Sequence, residues 1–177
     1  MKKIFIALIT LLAGYSALAD GTPFSAGFGL SDAAGNFGIN VQVSSPSFAH
    51  DFLILRASSQ ADFLSAYRND PDIAWDVFST HRVGIVGVGG WTKGGTRLYG
   101  EFGGLAAIPA SSLSDDTVHL GIYGLFGFEF FMASEHSPVS YYIEAGSNTL
   151  FDSAEALAGS PDYYSGFTMK TGLRYYF

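Results

Sequence analysis

The 177-residue chain has no cysteine, so neither a disulfide framework nor a thiolate metal site is open to it. Charge is scarce: Asp and Glu number 16 and Lys and Arg 9, and charged residues are only 14% of the chain. The resulting net charge of −7 disfavours nucleic acid as a partner and gives no electrostatic pull toward anionic surfaces. The 4 histidines are scattered, which predicts no metal centre. Long apolar runs are also lacking. Beyond the first residues no stretch reaches the ~20 apolar positions of a spanning helix, so helical spans are excluded. Yet 48% of the chain is hydrophobic, with 16 Phe, 10 Tyr and 22 Gly. Apolar content without helical spans points to strands.

The start explains where those strands go. Lys2 and Lys3, an apolar run over 4–12, and Ala17-Leu18-Ala19 read as a charged start, hydrophobic segment and small-residue cleavage site of a secretory signal. The run is interrupted by Thr10 and closed by Gly14, too short for a membrane anchor. Cleavage after Ala19 is expected to leave 20–177 as one domain, more acidic than the whole because two lysines leave. An exported chain without disulfides must draw stability from elsewhere, and closing a sheet on itself supplies it.

Period-2 alternation predicts eight strands. They cover 24–31, 37–44, 51–58, 77–91, 96–108, 117–132, 139–149 and 163–177. The sixth is the most regular: Val118, Leu120, Ile122, Phe126, Phe128, Phe130 and Met132 share one face, His119, Tyr123 and Glu129 the other. In the fourth, Val83, Ile85 and Trp91 oppose Arg82, but four glycines blur the pattern. The stretch 59–76, with Asp62, Arg68, Asp70, Asp72, Asp76 and Pro71, reads as a long loop holding a short helical turn over 60–68. Connections at 59–76, 109–116 and 150–162 are long, while 45–50, 92–95 and 133–138 are short turns. Of the predicted outer connections only the first, 32–36, is short. Alternating long and short connections suit an even-numbered barrel with both termini on one side.

The faces separate a membrane barrel from a soluble one. A soluble barrel or sandwich turns its apolar side inward and its charged side outward. Here the continuous, Phe-rich side has no room inside an eight-stranded barrel, whereas the Gly, Ser, Asn and few charges of the other side do. The fold class is therefore all-β, an eight-stranded antiparallel transmembrane barrel of up-and-down topology. Trp91, Tyr141, Tyr175 and Phe177 fall near strand ends, where aromatic girdles sit, and Trp75 and Phe78 are expected to do the same at the outer end.

The last strand adds a motif. Lys170-Thr171-Gly172-Leu173-Arg174-Tyr175-Tyr176-Phe177 resembles the C-terminal signal of bacterial outer-membrane β-barrels, carried by Lys170, Gly172, Tyr175 and Phe177. That resemblance implies insertion by the barrel-assembly machinery and residence in the bacterial outer membrane, with outer-membrane lipids and lipopolysaccharide as surroundings. In strand count and size the chain is similar to the OmpA transmembrane domain, OmpX and the neisserial opacity proteins.

Two constellations could carry chemistry. Arg56, Arg82, Arg97, Lys170 and Arg174 are expected to face the lumen with Glu101, Glu129 and Glu144, and must pair there because an unpaired buried charge is costly. Paired, they plug the barrel; exchanging partners, they would gate a narrow pore. Separately, Ser79 and His81 have the spacing of a nucleophile and its base, in the reverse order of lipid A deacylases, with Asp76 just before them. A Ser-x-His arises often by chance, so the expectation is no enzyme. His119 is expected in the lumen and His136 in a short turn beside Ser137. Gly87-Val88-Gly89-Gly90 has no following helix to make a phosphate loop, and no cofactor is expected. The favoured reading is a structural or surface-interaction barrel serving adhesion or envelope integrity, with a possible extracellular ligand on its loops. A narrow gated pore is the alternative and a lipid A acyl hydrolase the third.

Overall fold

The computed structural model describes residues 22–64, 76–92, 95–109, 118–132, 137–151 and 165–177. Those residues form eight strands: β1 (Ser25–Ala33), β2 (Asn36–Ser44), β3 (Leu53–Phe63), β4 (Val77–Thr92), β5 (Thr96–Ile108), β6 (His119–Phe131), β7 (Val139–Leu150) and β8 (Gly166–Tyr176). Each strand pairs antiparallel with the next, and β8 returns to β1, so the sheet is a closed up-and-down barrel. Closure leaves no free sheet edge, the condition for a strand-built wall in hydrocarbon. The signal-like residues 1–19 lie outside the described residues.

The wall alternates as lipid requires. Phe28, Val41, Val83, Phe102, Leu120, Phe126, Phe167 and Leu173 are exposed on the outside. Arg56, Arg82, Arg97, Lys170 and Arg174 are buried inside. In strand β4 Arg82 faces inward while Val83 and Ile85 face out, until a bulge between Val88 and Gly90 shifts the register. Among the glycines that blur this alternation, Gly84 has a packing reason: a Cβ there would collide with the Tyr123 hydroxyl of β6. On β6 itself a Cβ at Gly127 would meet the Tyr99 ring. Bare backbone at these positions makes room for inward aromatic side chains of other strands, which is how a narrow barrel fits them.

Three expectations need correction. Strand β3 continues to Phe63, so residues 59–63 belong to the wall and the predicted helical turn does not begin at Gln60; residues 65–75 lie outside the described residues. Asp62, expected in a loop, is fully buried in the lumen. The two-residue steps Arg56, Ser58, Gln60, Asp62 all fall on the inward side, but Ser59 and Ala61 between them carry no large apolar group to advertise a strand. Phe78, expected in the interfacial girdle, is also fully buried, because it shares the parity of Thr80 and Arg82. Of the other girdle residues, Tyr141, Tyr175 and Phe177 are exposed on the outside. Trp75 and the Trp91 side chain lie outside what is described.

Strands β1 and β2 are joined by Ala34 and Gly35, both at positive φ (52° and 82°), the geometry of a two-residue primed hairpin turn. Asp32 Oδ1 accepts the Gly35 amide at 3.1 Å. The β2–β3 connection instead holds Ala49, His50 and Asp51 in succession at positive φ. Strand β1 begins and β8 finishes at that same end. Phe177 donates its amide to the Phe24 carbonyl oxygen at 3.0 Å, and the two rings lie 5.5 Å apart.

Candidate functional site

The lumen is filled in layers. Nearest the end where β1 begins, Glu129 Oε2 is ion-paired with Arg97 Nη2 at 2.5 Å and with Arg174 Nη1 at 2.9 Å. Its other oxygen accepts the Tyr176 hydroxyl at 2.6 Å and the Ser140 hydroxyl. One step further in, Arg56 Nη1 bridges Glu101 Oε2 at 2.7 Å and Glu144 Oε1 at 2.8 Å, while its Nε donates to Ser44 Oγ at 3.1 Å. Arg174 Nη2 also reaches Glu144 Oε1 at 3.3 Å, so a single arginine ties the first layer to the second.

Tyrosines complete these layers. Tyr99 donates to Glu144 Oε1 at 2.7 Å, and Tyr123 to Glu101 Oε1 at 2.6 Å. Tyr142 donates to Asn40 Oδ1 at 3.1 Å beneath the Arg174 guanidinium, which stands 4.8 Å from its ring centre. Toward the opposite end Arg82 donates to Gln60 Oε1 at 2.5 Å and Asn148 Oδ1 at 3.4 Å, and Gln60 in turn donates to Asp62. Lys170 is 3% exposed, set in the sheet register between Ser31 and Glu144.

An apolar layer lies beyond Arg82, where Ala33, Leu64, Phe78, Leu105, Ala107 and Leu125 pack together. A smaller one, Ile54 and Val86 against Tyr99, lies toward the end where β1 begins. Charges held between apolar layers feel little water, so their mutual attraction is strong and so is the cost of leaving one alone.

All eight residues expected in the lumen are buried there, and each carboxylate has definite partners. Glu101 and Glu144 share Arg56, while Glu129 takes Arg97 and Arg174; the carboxylates are separated by guanidinium groups. Sequence reasoning missed Asp62, Gln60, Asn148 and Ser140, along with the tyrosine hydroxyls as donors. Two-residue spacing from Arg56 would have found Gln60 and Asp62. Nothing local would have found the partnerships, since Arg56 and Glu144 are 88 positions apart.

The wall carries the second candidate. Ser79 Oγ and His81 Nε2 are 3.0 Å apart on the outward face of strand β4. A nucleophile–base pair also needs a group to orient the imidazole. Asp76 lies five residues before His81, about 16 Å along extended chain, too far for that task. Among the described residues His81 has no other polar contact. His119 is buried on the lumen side, and His136 lies outside the described residues. Among the described residues no three His, Cys, Asp or Glu side chains converge as a metal site.

No family model and no curated protein matches this sequence. A solved structure does match in shape: the outer membrane protein Ail of Yersinia pestis, determined in a phospholipid bilayer nanodisc. The match has a TM-score of 0.51 at 16% identity and covers 87% of this chain and 98% of that one. With its closed antiparallel sheet, apolar outside and charged inside, the chain has the fold of the small eight-stranded outer-membrane β-barrels.

Proposed function

We propose that this protein resides in a bacterial outer membrane as a plugged barrel and acts through its surface connections, in adhesion or envelope integrity. The observation that carries this reading is the filled lumen. Arg56, Arg82, Arg174, Tyr99, Tyr123 and Tyr142 are among the largest fully buried side chains and occupy the space through which a solute would pass. Eight strands leave an interior that side chains can fill, and aqueous channels use more. The long β3–β4, β5–β6 and β7–β8 connections all leave the end opposite the start of β1, which is the cell-exterior end in this reading. An extracellular ligand would meet those connections. The outside of the wall would meet outer-membrane lipids and lipopolysaccharide, and the β8 motif would be read by the barrel-assembly machinery. The unoriented Ser79–His81 pair gives an acyl-hydrolase reading little support.

Planar-bilayer recording of the purified barrel tests the plug. The expected outcome is no steady conductance for the wild type and brief openings for Glu129→Gln, which removes the charge between Arg97 and Arg174. Steady wild-type conductance would favour the narrow-pore reading instead.

A further inference from the structure

Polar groups on the outside of a membrane barrel need partners, because hydrocarbon provides none. Thr171 finds its own: its hydroxyl bonds the Tyr141 hydroxyl at 2.5 Å and the Tyr142 carbonyl oxygen at 3.1 Å. His81 is only half provided for. Its Nε2 meets Ser79 Oγ at 3.0 Å, and among the described residues Nδ1 meets nothing. Ser59, directly across from His81 in the β3–β4 register, faces the same side, and its hydroxyl also lacks a partner among the described residues. Directly opposed residues on one face have Cβ atoms about 5 Å apart, so both can reach one small group.

Their level on the wall says which group. Running from the loop end, the outward residues of β4 are Val77, Ser79, His81, Val83 and Ile85; those of β3 are Phe63, Ala61, Ser59, Ala57 and Leu55. Val83, Ile85 and Leu55 are 58%, 52% and 49% exposed, broad apolar surface of the kind acyl chains cover. Above them come outward rungs of Ser, His and Ala before Val77 and Phe63 at the strand ends. In the proposal that follows, this polar break near the loop end is the level of the headgroups. The small neighbours Ala57, Ala61 and Ala106 leave the imidazole open to the outside.

We propose that Ser59, Ser79 and His81 form a docking point for the phosphate of a lipid headgroup in the outer leaflet. The proposal rests on the outer-membrane reading above. With the Ser79 hydroxyl donating to Nε2, the ring carries its proton on Nδ1 and presents it outward. Nδ1–H and the Ser59 hydroxyl then donate to two phosphate oxygens, hydrogen bonds strengthened by the charge of the acceptor. Ser79 positions the ring and attacks nothing.

The full-length barrel serves as the test object, in phosphatidylglycerol nanodiscs and in phosphate-free maltoside micelles with or without inorganic phosphate. Proton–phosphorus dipolar contacts are measured at the His81 ring, and lipid retention is counted by native mass spectrometry. The expected result is a contact to lipid phosphorus and lipid retention about tenfold weaker in His81→Leu or Ser59→Ala, as loss of one charge-assisted hydrogen bond implies. The gel shift between heated and unheated samples should stay wild-type in both variants. An equal contact with inorganic phosphate in micelles would make this a free-phosphate site and overturn the lipid assignment. Absence of any contact, or unchanged retention in both variants, would overturn the proposal outright. A wild-type chain that forms no heat-modifiable barrel at all would sink the outer-membrane reading, and the docking point with it.

Discussion

Glu129 is the residue on which the lumen depends most. Both of its oxygens are engaged, by two arginines on one side and by Ser140 and Tyr176 on the other. Removing one partner of a buried ion pair typically costs about 3–5 kcal/mol. Glu129→Lys is therefore expected to lower the urea midpoint of unfolding far more than Asp72→Lys in the β3–β4 connection, read by the gel shift of the folded barrel. Equal losses would mean that Arg97 and Arg174 are satisfied without it. The charge types of the lumen were legible in the sequence because alternation alone sorts inward from outward residues. The bonds between them were not. Arg56 and Glu144 stand on strands that are not neighbours, and only closure of the sheet brings them within 2.8 Å.

At the scale of the element, β5 is legible over its whole length because Arg97, Tyr99 and Glu101 alternate with Leu98, Gly100 and Phe102. Strand β3 is legible only as far as Ser58 because its second half is largely Ser, Ala, Gln and Asp, residues whose strand character comes from the strands on either side. Strand β8 has the most to do, since it pairs with β7 and closes onto β1 over nine residue pairs from Ser25–Tyr176 to Ala33–Thr168. Phe177, just after it, donates its amide to the Phe24 carbonyl oxygen, and its ring packs tilted against Phe24 and edge-to-face with Tyr175. Deletion of Phe177 is expected to cut the amount of heat-modifiable barrel in outer-membrane fractions several-fold while leaving secretion intact. Normal surface accessibility of the truncated chain would remove β8 from its proposed role in assembly.

At the scale of the whole molecule, the described strands form one closed wall whose two ends are connected differently. At the end where β1 begins, the β2–β3 corner is tied down by a bridge between Phe48 and Leu53 and by the bond of Ser47 Oγ to Asp51 at 2.9 Å. At the other end, β1 and β2 turn back within two residues while the remaining connections are long. If surface binding is the activity, replacing residues 110–117 with a short Gly-Ser link should abolish attachment to host cells or to lipopolysaccharide-coated surfaces at unchanged barrel stability. Persistence of attachment would move the activity to the wall or to another connection.

The tight Ala34–Gly35 corner is a two-residue bend, whereas the other connections on that side of the sheet are long in sequence. A peptide spliced between Ala34 and Gly35 would rise directly from the paired ends of β1 and β2. The barrel thus has a natural berth for a reporter epitope, and through it a direct means of learning which end looks out of the cell.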